Sequence, residues 1–116
     1  MRNDKDKLIV RLSFEFALDI IEYAELLEYH RKYIIARQLL KSGTSIGANI
    51  REAQNAESKA DFIHKLKIAA KEADETEYWI MLCKMSKNYP KNEPIKERLH
   101  SIISILSKII STSKST

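Results

Sequence analysis

The sequence predicts an all-α protein, an antiparallel up-down-up-down four-helix bundle that occupies residues 1–116 as one domain. Four segments carry apolar residues at alternating steps of three and four, which is the spacing of one helix face. Only two glycines and two prolines occur among 116 residues, against an average usage of about 12% for the two types together. So few turn-forming residues exclude a β-sandwich, a β-barrel and a Pro/Gly-rich disordered chain. Amphipathic helices joined by short connections pack as a bundle.

The first predicted helix covers residues 13–31 and has Ser13 as its N-cap. Its apolar stripe consists of Ala17, Ile20, Ala24 and Leu27, widened by Phe16, Ile21 and Tyr23. Acidic side chains occupy the rest of its surface. Residues 1–7 are expected to be flexible.

The second predicted helix covers residues 33–56 and has a heptad seam. The seam residues are Ile35, Leu39, Ser42, Ile46, Asn49, Ala53 and Ala56. Gly43 and Gly47 lie inside this helix, where each glycine costs about 1 kcal/mol relative to alanine. A break of the helix near Gly43 is the alternative.

The third predicted helix covers residues 59–87 and is the longest. Ser58 and Asp61 have the spacing of a capping box, with Asp in place of the usual Glu. Its seam again alternates steps of four and three and consists of Phe62, Leu66, Ala69, Ala73, Thr76, Ile80 and Cys83.

The fourth predicted helix covers residues 94–111 and follows the clearest linker, residues 88–93. Asn92 is a candidate cap, and Pro94 suits the first turn. The apolar seam consists of Ile95, Leu99, Ile102, Leu106 and Ile109. Residues 112–116 are polar and are expected to fray.

Composition and the N-terminal segment exclude several classes of protein. The single cysteine excludes an internal disulfide framework and fits a reducing compartment. The first ten residues, MRNDKDKLIV, lack the apolar run of a signal peptide. No segment is long and apolar enough to cross a bilayer. We therefore expect a cytoplasmic protein with no membrane partner.

Catalytic motifs are mostly absent from the sequence. Glu97 and His100, like Asp61 and His64, have the Glu-x-x-His spacing of di-metal carboxylate bundles, but they fall off the apolar seams and should point outward. Cys83 lies on a seam and has no partner at zinc-site spacing. Both glycines are inside a helix, so no phosphate-binding loop is present. We expect no enzyme and no cofactor, with a di-metal enzyme as the remote alternative.

The second helix carries candidate packing or assembly residues. Ser42 and Asn49 flank Ile46 on the seam, which favours buried hydrogen bonds that fix the register; a ligand-binding role is the alternative. A second stripe lies beside the seam and consists of Ala36, Leu40, Gly43, Gly47 and Ile50. Either it packs closely within the monomer or, as we favour, it contacts another subunit.

The third helix carries further candidates outside its seam. Trp79 and Leu82 cannot share the face of Ile80 and Cys83, which favours a subunit interface; coverage by the first or fourth helix is the alternative. Four acidic residues lie between residues 72 and 77. They form either a solvated face or a partner surface for the basic second helix of a neighbouring subunit.

Nucleic-acid binding is the second hypothesis for function. The net charge is +4, and basic residues cluster on the second and third helices and at the bundle end near the linker. The candidates are Arg37, Lys41, Arg51, Lys65, Lys67, Lys71, Lys84, Lys87 and Lys91. Such patches bind phosphates without reading sequence. The alternatives are ordinary solvated lysines and a purely structural protein-interaction module.

Three segments of the central region carry a family resemblance: QLLKSGTSIGANIREAQNA at residues 38–56, SKADFIHKL at residues 58–66 and AAKEADETEYW at residues 69–79. Together they resemble the bacterial four-helix-bundle family of rRNA-intervening-sequence proteins. The short aromatic-containing segment that many members carry before the first helix is replaced here by LIVRL at residues 8–12.

The resemblance implies a cytoplasmic bundle that assembles into a homopentameric ring and has no established enzymatic activity. The family is similar to accessory bundle proteins of diversity-generating retroelements, which implies RNA or DNA and a reverse transcriptase, or another protein, as partners. Signature positions carried over to this chain are Ser42, Ser45, Ile46, Asn49, Ile50, Glu52, Ala53, Phe62, Leu66, Ala69, Glu72, Glu75 and Glu77.

Overall fold

The computed structural model describes residues 4–115, which fold into four α-helices. They are α1 (Asp4–Tyr29), α2 (Tyr33–Ala53), α3 (Lys59–Met85) and α4 (Glu93–Lys114). α1 and α3 each pack against both α2 and α4, so the helices occupy the corners of a square in chain order. No strand occurs in this part of the chain. The predicted all-α antiparallel four-helix bundle is confirmed.

The first helix begins nine residues earlier than the sequence predicts. The expected N-cap, Ser13, is buried inside α1, and its hydroxyl donates a hydrogen bond to the carbonyl oxygen of Val10 at 3.2 Å. Ile9, one helical turn before Ser13, is also fully buried. Because this burial extends the apolar face toward the N-terminus, residues 4–7 belong to α1, where the sequence predicted a flexible segment outside the helix. Residues 1–3 lie outside the described residues.

The other helix boundaries lie within three residues of those predicted. α4 continues to Lys114, so the predicted frayed tail is helical over residues 112–114, and Thr116 lies outside the described residues. Ser58 caps α3 as predicted, since its hydroxyl accepts a hydrogen bond from the Asp61 amide at 3.0 Å. Asn92 occupies the N-cap position of α4 but makes no capping hydrogen bond with its side chain.

Two residues other than glycine adopt left-handed backbone conformations at the upper end of the bundle, where α1 meets α2 and α3 meets α4. Arg31 has a φ of 64° in the first of these connections, and Asn88 has a φ of 66° in the second. Both glycines, in contrast, have negative φ and lie within α2. The turns therefore use residue types that bear a Cβ atom, and glycine serves helix packing instead.

The core follows the predicted seams of α3 and α4. On α2 it also includes Ala36, Gly43 and Ile50 of the second stripe, whereas Ile35, Asn49 and Ala56 of the predicted seam are only half-buried. Large apolar side chains with almost no exposure fill it, among them Phe16, Ile20, Leu39, Ile46, Leu66, Leu99 and Leu106. Ile21, which was expected to widen the α1 stripe, is 39% exposed. Ion pairs join neighbouring helices at the periphery, such as Arg98 with Asp19 at 2.8 Å between α4 and α1.

Candidate assembly and nucleic-acid surfaces

The glycines of α2 pack against α1 of the same chain. A Cβ atom built on Gly43 would lie 2.8 Å from Cγ1 of Ile20, and one on Gly47 would lie 3.2 Å from the carbonyl oxygen of Ser13. The missing side chains therefore allow α1 and α2 to approach closely. This contact is the within-monomer alternative, so the preferred assignment of Gly43 to a subunit contact is wrong.

The polar seam residues of α2 behave differently from each other. Ser42 is buried and forms a hydrogen bond of 2.9 Å with the hydroxyl of Thr76 on α3. Asn49 instead donates to the carbonyl oxygen of Ser45 within α2, at 2.9 Å. Of the two candidates, only Ser42 therefore links α2 to α3. Ile46 between them, and Ile50 one turn further, are fully buried in the core.

An open apolar groove, the α1/α2 groove, runs along the outside of the first two helices. Its volume is about 190 Å³, and Gly47 lies beside Arg51, the one charged residue of the lining. The lining consists of Val10, Ser13, Phe14, Ala17, Thr44, Gly47, Ala48 and Arg51. Phe14 is 59% exposed beside it, and Leu18, one turn along α1, is 50% exposed. The sequence interpretation missed this surface because it placed the start of α1 at Ser13, within the stretch that lines the groove.

A second exposed apolar surface, the α3 strip, consists of Tyr78, Leu82 and Met85. Their exposed fractions are 58%, 38% and 75%. Trp79 lies beside the strip but is half-buried, and its indole nitrogen donates to Glu75 at 3.1 Å. Leu82 thus lies on the surface, whereas Trp79 packs partly against the core.

The acidic residues of α3 separate into paired and unpaired groups. Glu77 contacts His100 of α4, so this histidine lies at an interhelical ion-pair position. Glu75 accepts a hydrogen bond only from the neutral indole of Trp79. Asp74 lines an outer groove between α3 and α4 of about 460 Å³, together with Tyr78 and Met81, and it has no partner among residues 4–115. Asp74, without an ion-pair partner, therefore lies next to the α3 strip, in a groove that Lys96 also lines.

Three of the nine candidate phosphate-binding cations have structural partners. Lys65 pairs with Glu52 of α2 at 3.0 Å, and Lys84 pairs with Glu93 at 3.9 Å. The ammonium group of Lys91 donates to the carbonyl oxygens of Cys83, Lys84 and Ser86 at 2.8, 3.0 and 2.7 Å. Lys91 therefore caps the C-terminus of α3, a role that the sequence did not indicate because it depends on the path of the linker.

The remaining candidate cations do not converge on one surface. Arg37, Lys41 and Arg51 are exposed on α2, with Arg51 in the α1/α2 groove. Lys67 faces α4, where a hydrogen bond shared with the Lys114 amine, which requires one of the two amines to be neutral, and then the like charge of Lys114 lower the pKa of Lys67. Lys71 is exposed one turn along α3, and Lys87 is exposed beyond its end. The bundle thus carries one basic surface on α2 and another where α3 meets α4.

Cys83 and the candidate metal motifs offer little reactive chemistry within residues 4–115. Cys83 is a buried free thiol, and burial raises its pKa above the ordinary value. Burial also raises the pKa of Tyr23, whose hydroxyl donates to the carbonyl oxygen of Pro90 at 2.7 Å. No group of three His, Cys, Asp or Glu residues with metal-binding geometry occurs in the described part of the chain. No helix there is long and apolar enough to cross a membrane.

Comparison with known proteins identifies relatives over almost the whole chain. A family model described as 23S rRNA-intervening sequence protein matches residues 5–111. Among solved structures, the bundle is similar to a protein of unknown function from the S23 ribosomal protein family of Bacteroides thetaiotaomicron VPI-5482. The two share 44% sequence identity and a TM-score of 0.87, over 92% of this chain and 98% of that one. No curated protein matches. The resemblance carried by residues 38–79 is confirmed and extends over all four helices.

Proposed function

The chain belongs to the family of 23S rRNA-intervening sequence proteins, and we propose that it is a non-enzymatic helical-bundle scaffold that assembles with copies of itself. The family resemblance implies five subunits in the ring. The observation that carries the proposal is the α1/α2 groove with the exposed apolar residues beside it.

The exposed apolar surface on α1 is more than the scattered exposure of a monomeric bundle. Phe14, Leu18 and Ile21 are exposed at successive steps of four and three, so they form one continuous ridge on α1. The ridge borders the α1/α2 groove, where the lining is mainly apolar. Contiguous apolar surface of this kind is typical of protein interaction sites. A second copy of the chain would remove it from water.

Light scattering coupled to gel filtration tests the assembly directly. We expect a mass of several subunits at micromolar concentration. The variant Leu18→Glu, which places a charge on the exposed ridge, should shift the protein toward monomer while its circular dichroism spectrum stays helical. The matched control Ile34→Glu changes an even more exposed residue away from the ridge and should leave the mass unchanged. A monomeric wild-type protein would overturn the proposal.

Nucleic-acid binding is the second candidate function, and a specific arrangement of lysines favours it. Lys67 and Lys114 lie close enough to interact although both carry positive charge, and Lys71 follows Lys67 by one turn. A phosphate group between such amines would relieve their repulsion. Repetition of this surface around an oligomer would strengthen weak individual contacts through multivalency.

A salt-dependent titration of a labelled structured RNA tests this second function. We expect binding at low salt that weakens steeply as salt rises, because counterions are released from the phosphates. The double variant Lys67→Glu, Lys71→Glu should abolish most of the RNA binding seen at low salt. The control pair Lys7→Glu with Lys108→Glu changes the net charge equally at exposed sites elsewhere and should have a smaller effect. Equal losses in both pairs would show that Lys67 and Lys71 are not the binding surface. No binding at low salt would favour a protein-interaction module without nucleic acid.

A further inference from the structure

The α3 strip and the α1 ridge have the same spacing along their helices. Tyr78, Leu82 and Met85 are separated by steps of four and three, as are Phe14, Leu18 and Ile21. At 1.5 Å per residue, each row extends for about 10 Å along one helix face. Both rows are exposed, and they lie on different sides of the bundle, since α1 and α3 do not contact each other. Two such rows can pack as the ridges of neighbouring helices do.

Unpaired charges of opposite sign lie on the α2 side of the α1/α2 groove and beside the α3 strip. Arg37, Lys41 and Arg51 on α2 have no ion-pair partner among residues 4–115. The one carboxylate of α2, that of Glu52, is already paired with Lys65. The α2 side of the groove is therefore basic.

The α3 strip supplies the complementary negative charge. Asp74 precedes Tyr78 by one turn and has no partner in the described part of the chain. Glu75 contacts the indole of Trp79 and no cation. Lys96 lines the same outer groove as Asp74, so the acidic part of this surface is the edge of the strip at Asp74 and Glu75. Contact of that edge with a basic surface would bring complementary potentials together.

We propose that the α3 strip of one copy packs into the α1/α2 groove of the next, so that subunits join head to tail. This inference rests on the proposed self-assembly and names the two surfaces that meet. A second copy is the favoured occupant because this chain itself supplies a row of matched spacing and opposite charge. A contact between two different surfaces generates a closed ring or a filament, whereas a contact between identical surfaces stops at a dimer.

Two variants that each lose one surface test this arrangement. Leu18→Glu places a charge beside the α1/α2 groove, and Leu82→Glu places one on the α3 strip. Both residues are exposed, and thermal unfolding checks that each variant still folds. Under the proposal, each variant alone is monomeric at a concentration where the wild type assembles. An equimolar mixture forms a dimer and nothing larger, because each mixed pair retains one intact contact. Ile34→Glu again serves as the control and assembles like the wild type.

Other outcomes separate the failure of this inference from the failure of self-assembly. A monomeric wild-type protein would contradict both the head-to-tail contact and the proposed self-assembly. A wild-type oligomer that Leu82→Glu leaves intact keeps the assembly but shows that the α3 strip does not take part. If Leu18→Glu alone disrupts the assembly, the groove meets an identical groove and the contact is symmetric.

The charged residues provide an independent check on which surfaces meet. Reversal of Arg51 to Glu, or of Asp74 and Glu75 to Lys, should raise the concentration needed for assembly at least tenfold. Mixing the two reversed variants should restore association between them, since the opposite charges meet again in exchanged positions. The control Lys108→Glu makes the same change as Arg51→Glu on an exposed part of α4 and should leave assembly unchanged. Absence of any rescue in the mixture would contradict the charge pairing.

Discussion

The hydroxyl oxygens of Ser42 and Thr76 lie 2.9 Å apart in the buried contact between α2 and α3. The Thr76 hydroxyl also lies 2.7 Å from the carbonyl oxygen of Glu72 in its own helix. A hydroxyl has one proton, and the carbonyl can only accept. Both contacts are therefore used when Thr76 donates to Glu72 and Ser42 donates to Thr76. The pair fixes the register of two helices whose other buried residues are apolar.

We predict that Thr76→Val destabilises the protein more than the double variant Ser42→Ala, Thr76→Val. The single change leaves the buried Ser42 hydroxyl without its partner on α3, which costs about 1–3 kcal/mol, whereas removal of both hydroxyls is nearly neutral. Urea unfolding of the four proteins in this cycle measures the coupling. The control Thr44→Val removes a hydroxyl that bonds only within α2 and should change stability by less than about 0.5 kcal/mol. Additive effects of the two core substitutions would contradict the coupling.

Alanine should be tolerated at Gly47 and costly at Gly43. At Gly43 the new methyl group would overlap both γ carbons of Ile20, which is fully buried and cannot move aside. Overpacking of this kind costs about 1–3 kcal/mol and exceeds the gain of about 1 kcal/mol in helix propensity. At Gly47 the nearest atom is 3.2 Å away and the site borders an open groove, so the two effects should nearly cancel.

Thermal unfolding of the two glycine variants checks this order. A second measurement isolates the cause: Ile20→Ala should cost less in the Gly43→Ala background than in the wild type, because the new methyl group fills part of the cavity. Equal costs in both backgrounds would show that Ile20 is not the obstacle.

Stability should fall as the pH rises above about 8.5, the ordinary pKa of a cysteine. Burial raises the pKa of Cys83 and that of Tyr23, so the folded protein holds these protons more tightly than the unfolded chain does. The stability that these two protonated groups contribute is complete below the pKa values of the unfolded chain, and it is lost as the pH rises above those values. Urea unfolding between pH 7 and pH 9.5 should show a shallower decline for Cys83→Ala. An identical decline in both proteins would rule out the thiol as a cause.

Lys91 should contribute to stability and not to RNA binding. Its ammonium group serves three backbone carbonyls at the end of α3, and hydrogen bonds to a charged group contribute about 1.5–3 kcal/mol. Lys91→Met should therefore lower the free energy of unfolding by an amount in that range, as measured in urea. Lys87→Met, which alters an exposed lysine of the same connection, should have little effect. A loss of RNA affinity without a loss of stability would reverse the assignment of Lys91.

Helical periodicity predicted the core well, because burial on one helix face leaves a trace in the sequence itself. The seams of α3 and α4 coincide with their buried residues, from Phe62 to Cys83 and from Ile95 to Ile109. The start of α1 was missed because a serine before Phe14 and Glu15 has the local pattern of an N-cap. Only the packing of Ile9 and Ser13 against the rest of the bundle shows that the helix continues.

The candidate surfaces were less predictable, since they depend on which helices are neighbours. The sequence indicated that the Gly43 face of α2 makes a close contact, but the identity of α1 as the neighbour appears only in three dimensions. The pairing of Lys65 with Glu52 joins residues 13 positions apart on different helices. No spacing rule within one helix could have separated Lys65 from the cations that are free to bind phosphate.

Arg31 and Asn88 have left-handed backbone conformations, and both are positions where a substitution could raise the stability of the protein. A residue with a Cβ atom costs about 1–2 kcal/mol in that conformation, and asparagine tolerates it better than arginine. Arg31→Gly should therefore raise the melting temperature, and Asn88→Gly should do so less. Selection has placed both glycines in the contact between α1 and α2, and at Gly43 only a hydrogen atom fits. Both positions cost helix propensity, whereas a turn that glycine would suit is left with arginine. In this sequence glycine is used for close contact between helices and not for the left-handed positions of the turns.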